Sequence, residues 1–408
     1  MQRKKIVLFQ EKIDCCACGA CMNACPVSAI SMKEDEMGFL YPCIDEEKCI
    51  SCGRCISICQ YGKNEKKNKS IQVLAAASND SMTLKNTASG GIFSVLAGSI
   101  IEKGGIVYGA TMSKEDNTLE VKHIGVENKD EIVLLQGSKY VQSMIGDSYK
   151  QVKKNLEAER NVLFSGTPCQ VAGLYSYLGK EYDKLITIDI ICHGVPNLRW
   201  FQEYIEILEK KLNGKIYNYK FRDKSKGQGM NTRVYYFDKK NIAKEYTTNG
   251  HLTSFFYFFL QTQIYRENCY KCPYAMEERV ADITIGDYWG VYQEHQTEMN
   301  KSTMSNSKGV SCILINSKKG LELIRENDNK FEKFESTYKK VARHNEQLVR
   351  PVAITRERNE LLSIYKKEGY AGIEKNFRKK VFFKRPFYIV ESLMPKGIKR
   401  KMKQLIKK

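Results

Sequence analysis

Twice within its first 60 residues the chain passes four cysteines at one interval. CCACGACMNACP (residues 15–26) is answered by CISCGRCISICQ (residues 49–60), and both read C-x2-C-x2-C-x3-C. At that spacing three thiolates wrap one iron–sulfur cube while the fourth reaches across to the other. Cys15, Cys18, Cys21 and Cys59 are therefore predicted to hold one 4Fe-4S cluster, and Cys49, Cys52, Cys55 and Cys25 a second. Gly19 and Gly53 fall at the same place in each run, where the missing Cβ lets the backbone fold closely and take positive φ. Paired zinc ribbons also use C-x2-C units, but four thiolates per zinc leave the third and fourth cysteines of each run unexplained.

The pattern resembles two-cluster bacterial ferredoxins and defines a first domain over residues 1–62. Cys16 and Cys43 lie outside the repeat and read as buried or spare thiols. Gln60 stands where a proline is expected after Cys59, which leaves all eight ligands in place. The remaining cysteines are scattered: Cys169, Cys192, Cys269, Cys272 and Cys312. Fifteen cysteines without an evident export signal point to a reducing compartment and to metal or redox chemistry, not a disulfide framework. No run approaches the roughly 18 apolar residues of a membrane span. The expected address is the cytoplasm.

GKNEKKNKS (residues 62–70) is polar, basic and aperiodic, and reads as a solvated linker. From residue 71 to about 345 β-rich runs (IQVLAAAS, GIVYGATM, NVLFSG, KLITIDIIC) alternate with helical ones (GGIFSVLAGSIIEKG, WFQEYIEILEKKL). The alternation predicts an α/β layer on a mainly parallel sheet, with ligands gathered beyond the carboxyl ends of the strands. The overall class is thus α/β, or α+β for the whole chain: a small ferredoxin-like domain, an α/β domain and a C-terminal extension. SFFYFFL (residues 254–260) reads as a buried helix.

Three loops fit the sheet edge. TASGG (residues 87–91) opens a helix, where Ser89, Gly90 and Gly91 either cap it or offer N–H groups to a phosphate. QGSKYVQS (residues 136–143) supplies Lys139, Tyr140 and Gln142, able to grip an anionic, ring-bearing cofactor or simply to form a polar loop. ICHGVP (residues 191–196) brings Cys192, His193 and Gly194. Cys169, in SGTPCQ after an apolar strand, stands in the equivalent position, and CYKCP adds Cys269 and Cys272. Four such cysteines complete one site, a third iron–sulfur cluster or a structural zinc. A Cys–His nucleophile is the competing reading for Cys169, with no Asp or Asn evidently placed to orient His193. The other histidines have no metal-like spacing.

TASGG, GIVYGA, QGSKYVQS, SGTPCQVAGL, ICHGVP, FRDK, CYKCPYA, ADITIGDYWG and KGVSCILIN follow one another between residues 87 and 316. As ordered blocks they resemble the β-subunit family of coenzyme F420 hydrogenases and dehydrogenases, here fused behind the two-cluster unit. The resemblance implies an iron–sulfur flavoprotein: FAD in the α/β domain, a cluster near it, and two-electron reduction of an organic substrate with electrons from a ferredoxin-like donor. Relatives act on the deazaflavin coenzyme or on tetrapyrroles, and similar fusions accompany surface-polysaccharide genes. The alternative is a non-catalytic electron-transfer subunit of a larger complex.

The last segment, residues 346–408, is expected to be helical and to end in a basic tail. Residues 375–408 hold thirteen Lys/Arg against one acid, Glu391, most of the net +19. Interleaved apolar residues suit an amphipathic helix on an anionic membrane at its cytoplasmic face, with Phe382, Phe383, Phe387 and Tyr388 inserting. A solvated terminus is the plain alternative, and no nucleic-acid recognition motif accompanies the charge.

Overall fold

The structure, a computed structural model, describes residues 6–60, 67–225 and 229–393. Its two cysteine runs bend alike. Ala17 and Ser51 take φ of 51° and 55°, and Gly19 and Gly53 take 79° and 72° as they start the helices Ala20–Ala24 and Arg54–Ile58. Left-handed backbone at a non-glycine residue costs about 1–2 kcal/mol. Its recurrence at equivalent positions shows that the spacing enforces one path in both runs. The runs are joined through the antiparallel hairpin of β1 (Ile30–Glu34) and β2 (Leu40–Ile44).

Along the rest of the chain come β3 (Gln72–Ser78), β4 (Ile106–Glu115), β5 (Thr118–Val126), β6 (Val162–Gly166) and β7 (Leu185–Ile190), then β8 (Gly214–Lys220), β9 (Asn231–Asp238) and β10 (Ala243–Asn249), and finally β11 (Ile283–Asp287), β12 (Ser311–Ile315) and β13 (Phe331–Ser336). Eight of these form one sheet in the order β13-β3-β12-β11-β7-β6-β4-β5. Only its centre is parallel, through the pairs β4/β6, β6/β7 and β7/β11. The expectation of a mainly parallel sheet is corrected accordingly. Asp116 and Asn117, both at positive φ, make a tight turn that returns β5 antiparallel beside β4. On the other side β12, β3 and β13 pair antiparallel.

Alternate side chains serve the two faces. Leu74, Ala76, Leu163 and Ile188 pack against the helices Ile92–Glu102 and Lys318–Glu326. Val162 and Phe164 face the helices Ser148–Glu157 and Pro168–Leu178. β3 is buried along nearly its whole length, which explains the unbroken apolar run VLAAA.

β8, β9 and β10 form a separate three-stranded antiparallel sheet, packed through an aromatic core with the helices Leu198–Leu212 and Ser254–Leu260. The helix SFFYFFL is buried as expected, with Phe255, Phe256 and Phe258 fully enclosed. The long helix Arg356–Val381, kinked at Gly369, closes this core with Leu361, Tyr365, Tyr370, Ile373, Phe377 and Val381. Burying side chains like the last two contributes about 1.5–3 kcal/mol each. Residues 375–381, assigned by sequence to the basic tail, therefore belong to the fold. Phe382, Phe383 and Phe387 are exposed, while Tyr388 stacks on His251 at 5.0 Å. Residues 394–408, with most of the tail's charge, lie outside the described residues.

Residues 61–66 of the expected linker are likewise outside the described residues. Its far end is not free chain. Asn68 and Arg279 exchange two backbone hydrogen bonds of 2.9 Å, and Lys67 Nζ donates to the carbonyl of Pro273.

Candidate iron–sulfur and cofactor site

Each predicted thiol quartet encloses its own hollow. Cys15, Cys18, Cys21 and Cys59 line one, together with Cys16 and Cys55. Cys25, Cys49, Cys52 and Cys55 line the other. Among the described residues no three His, Cys, Asp or Glu side chains converge on a point as a single ion requires. Burial raises the Cys15 thiol to about 11 and the Cys21 thiol to about 12, with neighbouring thiols adding to it. Bound iron reverses that balance, because a metal cation favours the thiolate. The backbone N–H of Ala29 points at Cys25 Sγ at 3.2 Å, a donor of the kind that tunes cluster sulfur. These residues fit 4Fe-4S clusters.

The third group also gathers. Cys169 occupies the first turn of the helix Pro168–Leu178, capped by Thr167, whose Oγ1 lies 3.1 Å from Cys169 Sγ. Cys192 follows β7, and Cys269 and Cys272 sit in and just after the turn Glu267–Lys271. Burial pushes the Cys192 thiol up to about 12, with Cys272 contributing, and raises Cys269 through burial and then Cys192 and Cys272. Cys169 is raised by its hydrogen bond with Cys16, by burial and by Cys192. Cys192 is thus linked to each of the other three thiols.

Cys16, expected to be a buried or spare thiol, is buried. Its position is more telling: the thiol is electrostatically linked to those of Cys169 and Cys18, which sets it between the first cysteine run and the third group. Cys43, by contrast, is exposed.

Around this junction the small unit is locked to the large one. Gln60 Nε2 donates to the carbonyl of Cys169 at 2.9 Å, and Ser176 Oγ donates to Ile58 O. Arg266, fully buried, donates to the carbonyls of Cys15 (2.9 Å) and Leu40 (2.7 Å) and lies 4.1 Å over the Tyr41 ring. Gln142 Nε2 donates to Cys16 O at 3.2 Å. A Cβ on Gly173 would stand 2.9 Å from Cys18 Cβ, so only glycine admits the helix this close. Sequence reasoning missed Arg266 and the docking role of Gln60. The one available signal was the departure from proline at position 60.

Beyond Cys169 and Cys192 opens a cavity of about 470 Å³ at the carboxyl edge of the central strands. Its volume falls within the roughly 300–1,000 Å³ of small-molecule sites. Ser89, Gly91, Lys139, Tyr140, Gln142, His193 and Gly194 all line it, so the structure brings the three predicted loops together. Gly90 does not face it. Its N–H is held by Ser311 Oγ at 2.9 Å, and a side chain there would collide with Ala76 O, so this glycine serves packing. Gly194, at φ 126°, similarly admits the ring of Tyr265. Tyr140 stacks on Phe259 at 4.4 Å. Lys139 Nζ donates to Gln136 O at 2.8 Å, and burial lowers its pKa to about 7. Burial also lowers His193, opposed by Asp287 and assisted by Arg222.

Thiol quartets docked beside Cys16 onto a mixed α/β unit, with thiols and polar loops facing one cavity, define an iron–sulfur redox protein. The family described as "Coenzyme F420 hydrogenase/dehydrogenase, beta subunit" matches the large unit in two parts, its N-terminal part over residues 73–149 and its C-terminal part over residues 159–338. A 4Fe-4S dicluster domain matches residues 14–63. The two beta-subunit matches together span more than half of the sequence, and the chain belongs to the coenzyme F420 hydrogenase/dehydrogenase beta-subunit family, preceded by a 4Fe-4S dicluster domain. No curated protein sequence matched it. Among solved structures, a chain of the F420-reducing [NiFe] hydrogenase complex from Methanosarcina barkeri, studied by xenon derivatization, is 17% identical, with 78% of this chain and 94% of that one covered at a TM-score of 0.38.

Proposed function

We propose that the protein is an iron–sulfur flavoprotein oxidoreductase that takes electrons from a ferredoxin-like donor and reduces an organic substrate in the cavity beside Cys169 and Cys192. The division into residues 1–62, 71–345 and 346–408 is part of the reading. The carrying observation is continuity: Cys16 follows Cys15 in the chain, its carbonyl accepts from Gln142 Nε2 and its thiol is electrostatically linked to Cys169, and both Gln142 and Cys169 line the cavity. Cys169, Cys192, Cys269 and Cys272 are the ligands proposed for a third cluster. When bound, the clusters carry single electrons and FAD pairs them for delivery to the substrate.

Protein groups supply the rest. Gly91 brings a helix start to the cavity wall, where free N–H groups favour phosphate. Lys139, poised near neutrality by burial, gains its proton when an anion binds beside it. Tyr140 presents an aromatic wall held rigid by Phe256 and Phe259. Gln142 ties that wall to Cys16.

Anaerobic protein should contain about eight iron and eight sulfide from the two runs, and about twelve of each with the third cluster. Cys169→Ser should lower the iron and slow flavin reduction by a one-electron donor. Unchanged iron with one fast-alkylating thiol would instead make Cys169 a nucleophile.

Among the described residues no helix is long and apolar enough to cross a membrane. Exposed Phe382, Phe383 and Phe387 beside the basic terminus favour peripheral docking on an anionic membrane surface. A chain ending at Val381 should keep its fold and lose salt-sensitive cosedimentation with anionic vesicles. Equal sedimentation of the two chains would reject the docking.

A further inference from the structure

Among the described residues the cavity has a cation that its protein partners leave incompletely satisfied. Arg222 follows β8, a strand of the small sheet, and lines the cavity; its side chain is only 2% exposed. Three of its contacts fix the guanidinium plane. Nε donates to Gly229 O at 2.8 Å, while Nη1 donates to Asp287 Oδ2 at 2.9 Å and to Tyr140 Oη at 3.2 Å. The ring of Trp289 lies 5.1 Å from its Cζ. Nη2 is buried and has no hydrogen-bond partner among the described residues.

A buried charged donor left unpaired is costly, and native structures rarely keep one without a reason. Local charge leans the same way. Asp287 balances Arg222, but Lys224 lies close enough to both to feel them, and its Nζ is spent on the carbonyls of Leu84, Ser89 and Lys308. No carboxylate is paired with Lys224 among the described residues. Of the described side chains lining the cavity, Lys139 and Arg222 are cationic and Asp287 is the one carboxylate, and Arg222 keeps an unpartnered donor at the wall. A planar guanidinium held on one edge presents its remaining N–H groups to an oxyanion.

We infer that Arg222 Nη2 is the anchor of an oxyanion site in this cavity, taking a phosphate or carboxylate oxygen of the molecule bound there. The inference rests on the reading of the cavity as the place where cofactor and substrate meet. A phosphate would belong to the flavin cofactor, whereas a carboxylate would make the substrate an organic acid.

Trp289, stacked beside Arg222, is one of only two tryptophans, and the other, Trp200, is buried in the aromatic core. Full-length, cluster-loaded protein is titrated with pyrophosphate and with succinate, before and after flavin loading, at constant ionic strength, and tryptophan fluorescence and melting temperature are followed. The wild type should bind at least one probe saturably. Arg222→Lys, which keeps the charge but loses the fork, should weaken that binding tenfold or more at unchanged iron content. Binding of pyrophosphate that flavin abolishes assigns the oxyanion to the cofactor. Arg222-dependent binding of succinate that survives flavin loading assigns it to the substrate. Absence of saturable binding by the wild type, or equal binding by Arg222→Lys, overturns the inference. Failure to take up any flavin would overturn the flavoprotein reading while leaving the probe titration intact as a test of Arg222.

Discussion

The two cysteine runs share a spacing and a backbone path, yet they live in different surroundings. In the first, Cys16 is 8% exposed and Cys18 lies under Gly173 of the large unit. At the matching places in the second, Ile50 is 54% exposed and Cys52 is open to solvent. Local sequence makes a cluster cradle in both cases, and the neighbour decides its role. The first run is built into the junction with the cavity. The second faces outward, with Ile50 and Cys52 exposed.

That contrast is sharpest for the ligands. Cys18→Ala and Cys52→Ala should each remove about four iron, one cube. Only Cys18→Ala should also loosen the docking and lower the melting temperature by several degrees, because Cys18 fills space beneath Gly173. Equal melting temperatures for the two variants would break the comparison.

Glycines give the next largest difference. Gly173→Ala forces a Cβ to 2.9 Å from both Cys18 Cβ and Tyr149 Oη, and overpacking of this kind costs about 1–3 kcal/mol. Gly53→Ala meets nothing within 4 Å and suffers only from its φ of 72°, worth about 1 kcal/mol. Anaerobic urea unfolding of the two variants measures the gap.

The smallest effect tests Gln60. Gln60→Ala removes a buried side chain and its bond to Cys169 O, at a cost of about 1 kcal/mol. Ile50→Ser, on the exposed run, should stay within about 0.5 kcal/mol of the parent. A stability loss for Ile50→Ser as large as that for Gln60→Ala would show that the outer run is also packed against a partner.

By itself the sequence determined what depends on short-range order. Cysteine spacing sets which thiols share a hollow, because the reach of a few residues is fixed by covalent geometry. Apolar runs placed β3, β4, β6 and β7 of the large sheet and the buried helix at 254–260, and ordered blocks identified the family. Sheet direction at the edges was not legible, since it turned on tight connections such as Asp116–Asn117 and on long-range pairing of β3 with β12 and β13. Nor could the sequence set Cys16 apart from Ile50, send Gly90 to packing instead of the cavity, or put residues 375–381 into the aromatic core. Tertiary structure decided those, because burial and hydrogen-bond partners arise from segments far apart in the chain. Cys16 meets Cys169, Gln60 meets the same helix start, and Arg222 meets Asp287 only after the sheet has closed around them.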